Sequence, residues 1–379
     1  MIRDKKLKDV ETHIYYWDNE QLLFPRLDLY PNTDVFPTGV EELPNVSSGS
    51  MKLDEMIADS ELRFGTLCAS KFEVVVYNMP EDLSGKYIQA YQIDEGKYKG
   101  IFSGKIVSCK QDNTGLDRTI VAYDSAYVLR ERDVSDWWLS FWEEHGTATV
   151  KQVRESLLQS VNVEWNDNRL LPNDNIIVRK NVNVNYIAFG TVLSMLCELN
   201  GCFPHFNRDN VMEFITLGDW GHRYLTVNNS GKTEPLYEGL NSSFEEYTTD
   251  KITGVEFYDS EGELKYMVGD LANTYKLSSN IFCYDMGTFQ LKQVGKALLD
   301  KIKNITYTPA SVKMIVGDLD YCLGMQIITP KGSFYILENQ FSGAQLVEQT
   351  MIARGEQTLG EGSRRLTDEM IILNEKWSR

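Results

Sequence analysis

Histidine is nearly missing from this chain. His13, His145, His205 and His222 are the only four, they lie far apart, and no His-Glu-x-x-His or related pattern joins them, so no common zinc site is written in the sequence. Each reads as a solvated or locally hydrogen-bonded histidine, His145 in the loop Glu143-Glu144-His145-Gly146 and His205 in a turn after Pro204. Cysteine is sparse as well. No two of Cys68, Cys109, Cys197, Cys202, Cys283 and Cys322 are separated by two residues, and most lie inside apolar runs. They read as reduced, partly buried small hydrophobes without a disulfide framework, made in a reducing cytoplasm. Cys202 and His205 are close in the chain, but a turn pair does not make the dyad of a cysteine peptidase. A Gly-x-Ser-x-Gly elbow is absent. The stretch Gly355 to Gly362 lacks the Gly-Lys-Ser/Thr ending of a phosphate cradle, and its glutamates would repel phosphate, so it reads as a flexible link.

Long apolar runs are also missing. The longest, Ile187 to Cys197, ends at Glu198, short of the roughly 20 residues that a membrane span requires. The start, Met1-Ile2-Arg3-Asp4-Lys5-Lys6, is charged and has no apolar leader core. Neither export by the usual route nor a membrane span is expected. Basic residues are the minority, 38 against 55 acidic, for a net charge of −17. A nucleic-acid binder shows the opposite balance, because its affinity comes from neutralising phosphates. No sequence-specific nucleic-acid binding is expected. The acidity serves solubility, or a wall that DNA slides past without sticking. The pairs Glu41-Glu42, Glu143-Glu144 and Glu245-Glu246 are what so many acids produce by chance, and a solvated surface is expected for them. Asp259-Ser260-Glu261-Gly262 is a hairpin turn before it is a calcium loop. No catalytic, cofactor-binding or metal-binding residue is assigned, and the chain is expected not to be an enzyme.

What is present is β-branched and aromatic. Aromatic residues make up 11% of the 379, with 20 Tyr, a bias towards strands and large interfaces. Residues 1–49 alternate short aromatic pieces with turn signals such as Pro31-Asn32-Thr33-Asp34 and read as an arm or a few strands. Residues 50–134 form a first β block, with strands at Phe72–Tyr77, Lys86–Ile93, Ile101–Ser108 and Arg118–Asp124 joined by short loops, an antiparallel sheet or small barrel. Residues 135–244 form a small α+β domain. Thr149 caps a helix whose apolar face is Val150, Val153, Leu157, Leu158 and Val161. A second helix runs from near Ile187 to Leu199 and stops at Gly201. A hairpin then turns at Arg208-Asp209-Asn210. Residues 245–355 form a second β block with a helix inserted near Phe289–Ile302 and a single strand from Phe334 to Phe341. Residues 356–379 form a polar link and a short amphipathic helix carrying Leu366, Met370, Ile371, Leu373 and Trp377. A faint echo joins the two blocks: Phe102-Ser103-Gly104 before Ile120-Val121-Ala122 in one, Phe341-Ser342-Gly343 before Met351-Ile352-Ala353 in the other.

Several stretches carry a resemblance. They are Leu62-Arg63-Phe64-Gly65-Thr66-Leu67, Tyr98-Lys99-Gly100-Ile101-Phe102-Ser103-Gly104, Asp136-Trp137-Trp138, and Gly317-Asp318-Leu319-Asp320-Tyr321 followed by a hairpin and Ile352-Ala353-Arg354-Gly355. Over about residues 45–355 the chain resembles the baseplate-hub and tail-tip proteins of long-tailed bacteriophages, which include the tail-associated structural module of siphophages and the hub of contractile tails. The resemblance implies an α+β, β-rich chain with two tail-tube-like antiparallel β barrels and a small α+β domain between them. It implies a homotrimeric ring in the virion that closes the tail tube, adapts six-fold to three-fold symmetry and leaves a channel for DNA. The implied partners are the distal tail protein, the tape-measure protein, the tail tube, and a receptor-binding protein or fibres. Some members carry a C-terminal peptidoglycan hydrolase, and the residues after 355 are too few for one. The rival readings are a tail-associated hydrolase or endopeptidase, and a carbohydrate-binding adhesin that stacks sugars on Trp137, Trp138 and Trp142. Packing at a domain junction is the plainer role for those tryptophans.

Overall fold

The computed structural model describes residues 10–18, 39–58, 62–94, 97–113, 115–165, 169–183, 185–219, 221–226, 234–235, 242–314 and 317–355. The turn expected at Pro31–Asp34 and the link and helix expected at 356–379 lie outside these residues.

Alternation builds the strands. In Lys71–Val76, Phe72, Val74 and Val76 are fully buried, while Lys71, Glu73 and Val75 are partly exposed on the opposite face. Each such burial contributes about 1.5–3 kcal/mol. Phe72 pairs with Ala122 and Val74 with Ile120 on the neighbouring strand Arg118–Tyr123, so the apolar face continues across the sheet. Phe102 stacks on Phe72 with ring centroids 5.4 Å apart.

One sheet takes strands from both β blocks, while Gly254–Tyr258, Leu264–Gly269 and Thr274–Leu277 form a three-stranded sheet and Gln326–Thr329 and Gly332–Tyr335 belong to a four-stranded one. Eleven strands run in the order Ser243–Phe244, Ala310–Met314, Glu348–Ala353, Glu338–Ser342, Lys52–Met56, Lys71–Val76, Arg118–Tyr123, Lys97–Gln111, Tyr87–Asp94, Val10–Trp17 and Glu41–Glu42. The seam lies where Lys52–Met56 pairs antiparallel with Glu338–Ser342, Leu53 opposite Phe341 and Glu55 opposite Asn339. Phe102 and Phe341, the two phenylalanines of the sequence echo, meet in the same apolar cluster. The sheet curls strongly. Thr12 on Val10–Trp17 hydrogen-bonds Gln345, just beyond the strand Glu338–Ser342, and Gln92 Nε2 donates to Gln345 O at 2.6 Å. No backbone ladder closes that gap, so there is no closed barrel among the described residues.

The single strand expected from Phe334 to Phe341 is two strands, Gly332–Tyr335 and Glu338–Ser342, in different sheets. Between them Ile336 donates its N–H to Met325 and Leu337 donates to Ile352, at 3.0 Å each, so the chain changes sheet partners within two residues. Both side chains are buried at the switch. Alternation alone cannot register such a change, because both halves keep an apolar face.

Five helices occur among the described residues: α1 (Ser125–Leu129), α2 (Ser135–His145), α3 (Val150–Ser160), α4 (Phe189–Asn200) and α5 (Thr288–Ile302). α2 carries the tryptophan cluster Trp137, Trp138 and Trp142. Thr149 caps α3 as expected, in a reciprocal pair: Gln152 N donates to Thr149 Oγ1 at 3.2 Å and Thr149 N to Gln152 Oε1 at 2.9 Å. Thr149→Ala is expected to cost about 1 kcal/mol, read as a lower urea midpoint at unchanged slope. Gly201 ends α4 at φ +64°, as its position predicts.

Every residue of α4 is buried, which marks it as the centre of the larger core. Its polar side chains therefore need partners. Glu198 accepts from Tyr275 Oη at 3.1 Å and Asn280 Nδ2 at 3.0 Å. Asn200 Oδ1 accepts from Asn173 N at 2.7 Å, and Asn173 Nδ2 donates to Leu199 O at 2.7 Å and Val294 O at 3.2 Å, tying α4 to α5. No helix among the described residues is long and apolar enough to cross a membrane.

Candidate functional site

The strands Phe203–Phe206 and Met212–Ile215 form the expected hairpin, turning through Arg208, Asp209 and Asn210. Asn207 shapes the turn: its Oδ1 accepts from the N–H groups of Asp209 and Val211, both at 3.0 Å, and Asn210 takes φ +60°. The tip reaches the mouth of the curled sheet. Ser103 Oγ donates to Arg208 O at 2.8 Å, and Asn210 Nδ2 to Ser125 Oγ at 2.7 Å.

Arg208 is the plug. Its Nε and Nη2 donate to the two carboxylate oxygens of Glu55 at 2.8 and 2.7 Å, and its Nη1 to Leu319 O at 2.6 Å. The guanidinium also stacks on the Phe341 ring, 5.3 Å from its centroid. Glu55 lies on the inner face of its strand, with Leu53, and its side chain is 4% exposed against 16% for Arg208. Burial works against the charge on Arg208, but the Glu55 carboxylate outweighs it and holds the guanidinium pKa raised. Glu55 and Arg208 are 153 residues apart in sequence, so no local pattern could have joined them.

Beside the plug opens a cleft of about 270 Å³ lined by Glu55, His205, Arg208, Asp209, Glu213 and Cys322, among others. His205 and Glu213 stand directly opposite each other on one face of the hairpin. The reading of His205 as a turn residue, solvated or locally bonded, is corrected here. It sits on a strand, is 5% exposed, and its Nδ1 has no hydrogen-bond partner. Burial pushes its pKa down to about 4, leaving it neutral near pH 7. Cys202 is not its partner in chemistry: its Sγ lies 3.5 Å from Cys197 O, against α4. Burial raises the pKa of the Cys322 thiol.

A polar network fixes the rim. Asn339 Nδ2 donates to Tyr321 O at 2.9 Å, Gln349 Nε2 to Asn339 Oδ1 at 2.9 Å, and Asp318 N to Gln349 Oε1 at 3.0 Å. Asn339 and Gln349 are fully buried, so these bonds hold the 317–323 loop to the sheet. Lys99 pairs with Asp320 at 3.1 Å across the same rim.

The remaining sequence candidates scatter. His13 lies 2.8 Å from Glu42 on the edge of the large sheet, His145 stacks on Phe141, and His222 is exposed beside Tyr224. The paired glutamates 41–42, 143–144 and 245–246 are all exposed. Trp138 and Trp142 are buried at 0% and 4%, out of reach of a sugar ring, and Trp137 Nε1 is spent on Ser156 Oγ at 3.0 Å. No group of three or more His, Cys, Asp or Glu among the described residues could hold a metal ion.

No family model matches the chain, and none of the curated proteins matches it either. Solved structures do. The 43 kDa tail protein of prophage MuSo2 from Shewanella oneidensis is 9% identical, with 91% of this chain and 97% of that one covered and a TM-score of 0.49. The prophage tail protein gp18 from Listeria monocytogenes EGD-e is 12% identical, with 97% and 98% covered and a TM-score of 0.49. The tail protein from Neisseria meningitidis MC58 reaches a TM-score of 0.51 at 13% identity, covering 90% of this chain and 95% of that one. Over nearly its whole length, then, this chain has a fold similar to that of the Neisseria tail protein.

Proposed function

We propose that the chain is a structural protein of a bacteriophage tail, and more specifically the hub of its tip or baseplate. The observation that carries the reading is the likeness to the Neisseria tail protein, which takes in nearly all of both chains rather than one domain of either. The seam between Lys52–Met56 and Glu338–Ser342 is in keeping with it, since two β blocks joined by a ladder form a rigid wall segment. In this reading three chains close a ring. The two β blocks of each chain act as two tube-like units, so that a three-fold ring matches a six-fold tube. Heterologous contacts that close by rotation make such rings. The partners are the distal tail protein, the tape-measure protein, the tube, and fibres or a receptor-binding protein. The acidic surface partly lines a channel for DNA in this reading.

Light scattering on the purified chain, alone and with its distal tail protein, tests this. A mass near three times 43.4 kDa, alone or on addition of the partner, is the expected result. A monomer indifferent to tail proteins would overturn the hub.

A further inference from the structure

Where the larger sheets end, the described residues show short or covered edges, with one exception. The eleven-stranded sheet ends on Glu41–Glu42 and Ser243–Phe244, and the four-stranded sheet on Glu234–Pro235, two residues each. The other end of the four-stranded sheet, Gly332–Tyr335, has Ser333 O taken by Thr308 N at 2.8 Å. The three-stranded sheet ends on Thr274–Leu277, where Lys276 is exposed, and on Leu264–Gly269, six residues with one charge and no proline. Native edges are kept short, charged or covered because their unpaired N–H and C=O groups invite another strand. The one charge on Leu264–Gly269 does not guard it, since Lys265 Nζ donates to Tyr284 O. Leu264 is 52% exposed, and Leu271, just past the strand, is 66% exposed. α5 covers the face that carries Tyr266 and Val268, where Gly295 leaves room for Val268. The bond from Asp270 N to Thr253 O at 2.8 Å sets the phase of the ladder. Tyr266 and Val268 therefore bond to Phe257 and Val255, and Met267 turns its N–H and C=O to the free side. No backbone bond reaches that side of the strand among the described residues.

We propose that Leu264–Gly269 takes up an extended segment of a different partner chain as a fourth, antiparallel strand, with cationic side chains at the C-terminal end of that segment. The proposal rests on the reading of the protein as an assembly component, which supplies the partner. Main-chain bonds give such an addition its affinity, and the side chains that flank the edge choose the occupant. Here the flank is acidic. Glu261 and Glu263, exposed in the turn that opens the strand, have no ion-pair partner among the described residues. An antiparallel segment ends beside them, so lysine or arginine there meets two carboxylates. A second copy of this chain fits badly. Self-pairing about Met267 brings Glu261 and Glu263 of each copy towards Asp270 of the other at both ends of the joint, and Lys265 is already engaged. Like charges set across a strand pair are destabilising. Along the segment, β-branched apolar residues extend the face of Tyr266 and Val268, and polar ones lie beside Met267.

The test is a titration of the full chain, labelled with nitrogen-15 at methionine, with the capped peptide Thr-Val-Thr-Val-Thr-Lys-Lys at low ionic strength. The readouts are the amide resonance of Met267 and its hydrogen exchange. One comparison peptide is N-methylated at its three threonines, whose N–H groups face the strand, and the other ends in two glutamates. Expected is a saturable shift of the Met267 resonance with slower exchange, absent for the N-methylated peptide and about tenfold weaker for the glutamate-ended one. Met267→Pro removes a donor that no ladder bond uses, so it abolishes binding in a chain whose circular dichroism is unchanged. Glu261→Gln/Glu263→Gln, at exposed positions with little risk to folding, weakens binding about threefold or more. No response at Met267, an equal response to the N-methylated peptide, or unchanged binding in the glutamine variant overturns the proposal. Protection of Met267 that grows with the concentration of the chain alone assigns the edge to a second copy and overturns the partner-chain occupant. A chain that trimerises but ignores the peptide refutes the strand addition and leaves the hub standing.

Discussion

Arg154→Ala is expected to destabilise the chain by about 3–5 kcal/mol, because it leaves the Asp174 carboxylate buried without its counter-charge. The pair joins α3 to the loop before the strand Ile177–Arg179. Side-chain exposure is 2% for Arg154 and 0% for Asp174, and two parallel bonds connect them, Nη1 to Oδ1 and Nη2 to Oδ2, the latter at 3.0 Å. Asp174 Oδ2 also accepts from Leu171 N at 2.9 Å, and the guanidinium lies over Phe214, 4.7 Å from its centroid. Burial alone would drive the guanidinium towards its neutral form, and Asp174 is the partner that holds its pKa raised. Urea unfolding followed by far-UV circular dichroism reads the effect. The decisive comparison is Arg154→Met with Asp174→Leu. If the loss comes from stranding a charge, the double variant recovers most of it, less the Leu171 bond. A double variant as unstable as Arg154→Ala would show that the pair itself, rather than the orphaned carboxylate, carries the stability.

Gly65→Ala is expected to be about as severe, at roughly 2–5 kcal/mol, for a steric reason. Gly65 lies where the 62–67 loop crosses α4, at φ +80°, and its N–H donates to Cys202 O at 2.8 Å. An added Cβ would sit 2.1 Å from Ser194 O and 3.0 Å from Glu198 N, both backbone atoms of a fully buried helix that cannot give way. Gly85→Ala is the matched control: φ is +88°, but nothing lies within 4 Å of the added Cβ. It should lose only the left-handed backbone term, about 1–2 kcal/mol. Equal losses at the two sites, measured as shifts in the unfolding midpoint, would discount the contact with α4.

These two sites show where the sequence speaks and where it is silent. Thr149, Gly201 and the turn at Arg208-Asp209-Asn210 were legible because caps and turns are decided within a few residues by local hydrogen bonds and allowed φ. So were the strands, from the alternation seen in Lys71–Val76. The seam between Lys52–Met56 and Glu338–Ser342 was not legible, because a pairing register between distant strands leaves no trace in either one alone. The partner choices Glu55–Arg208 and Arg154–Asp174 failed to show for the same reason. Each looked like one more charge on a chain rich in charges. His205 was misplaced because a histidine next to proline suggests a turn, and only the opposing strand Met212–Ile215 reveals the burial. The one hint was its position in Phe203-Pro204-His205-Phe206, bracketed by aromatic residues.

The seam also sets an order of events during synthesis. About 280 residues lie between Met56 and Glu338, so at roughly 5–20 residues per second the strand Lys52–Met56 waits some 15–55 s for the neighbour it will pair with. Contacts this distant in sequence raise the contact order and slow folding, and meanwhile the first β block presents a raw edge on which another nascent chain could settle. The sequence at that edge is Lys52, Leu53, Asp54, Glu55, Met56, three charges in five residues. Such an edge repels premature pairing, so the same strand that later holds the two halves together guards the growing chain against aggregation while it waits.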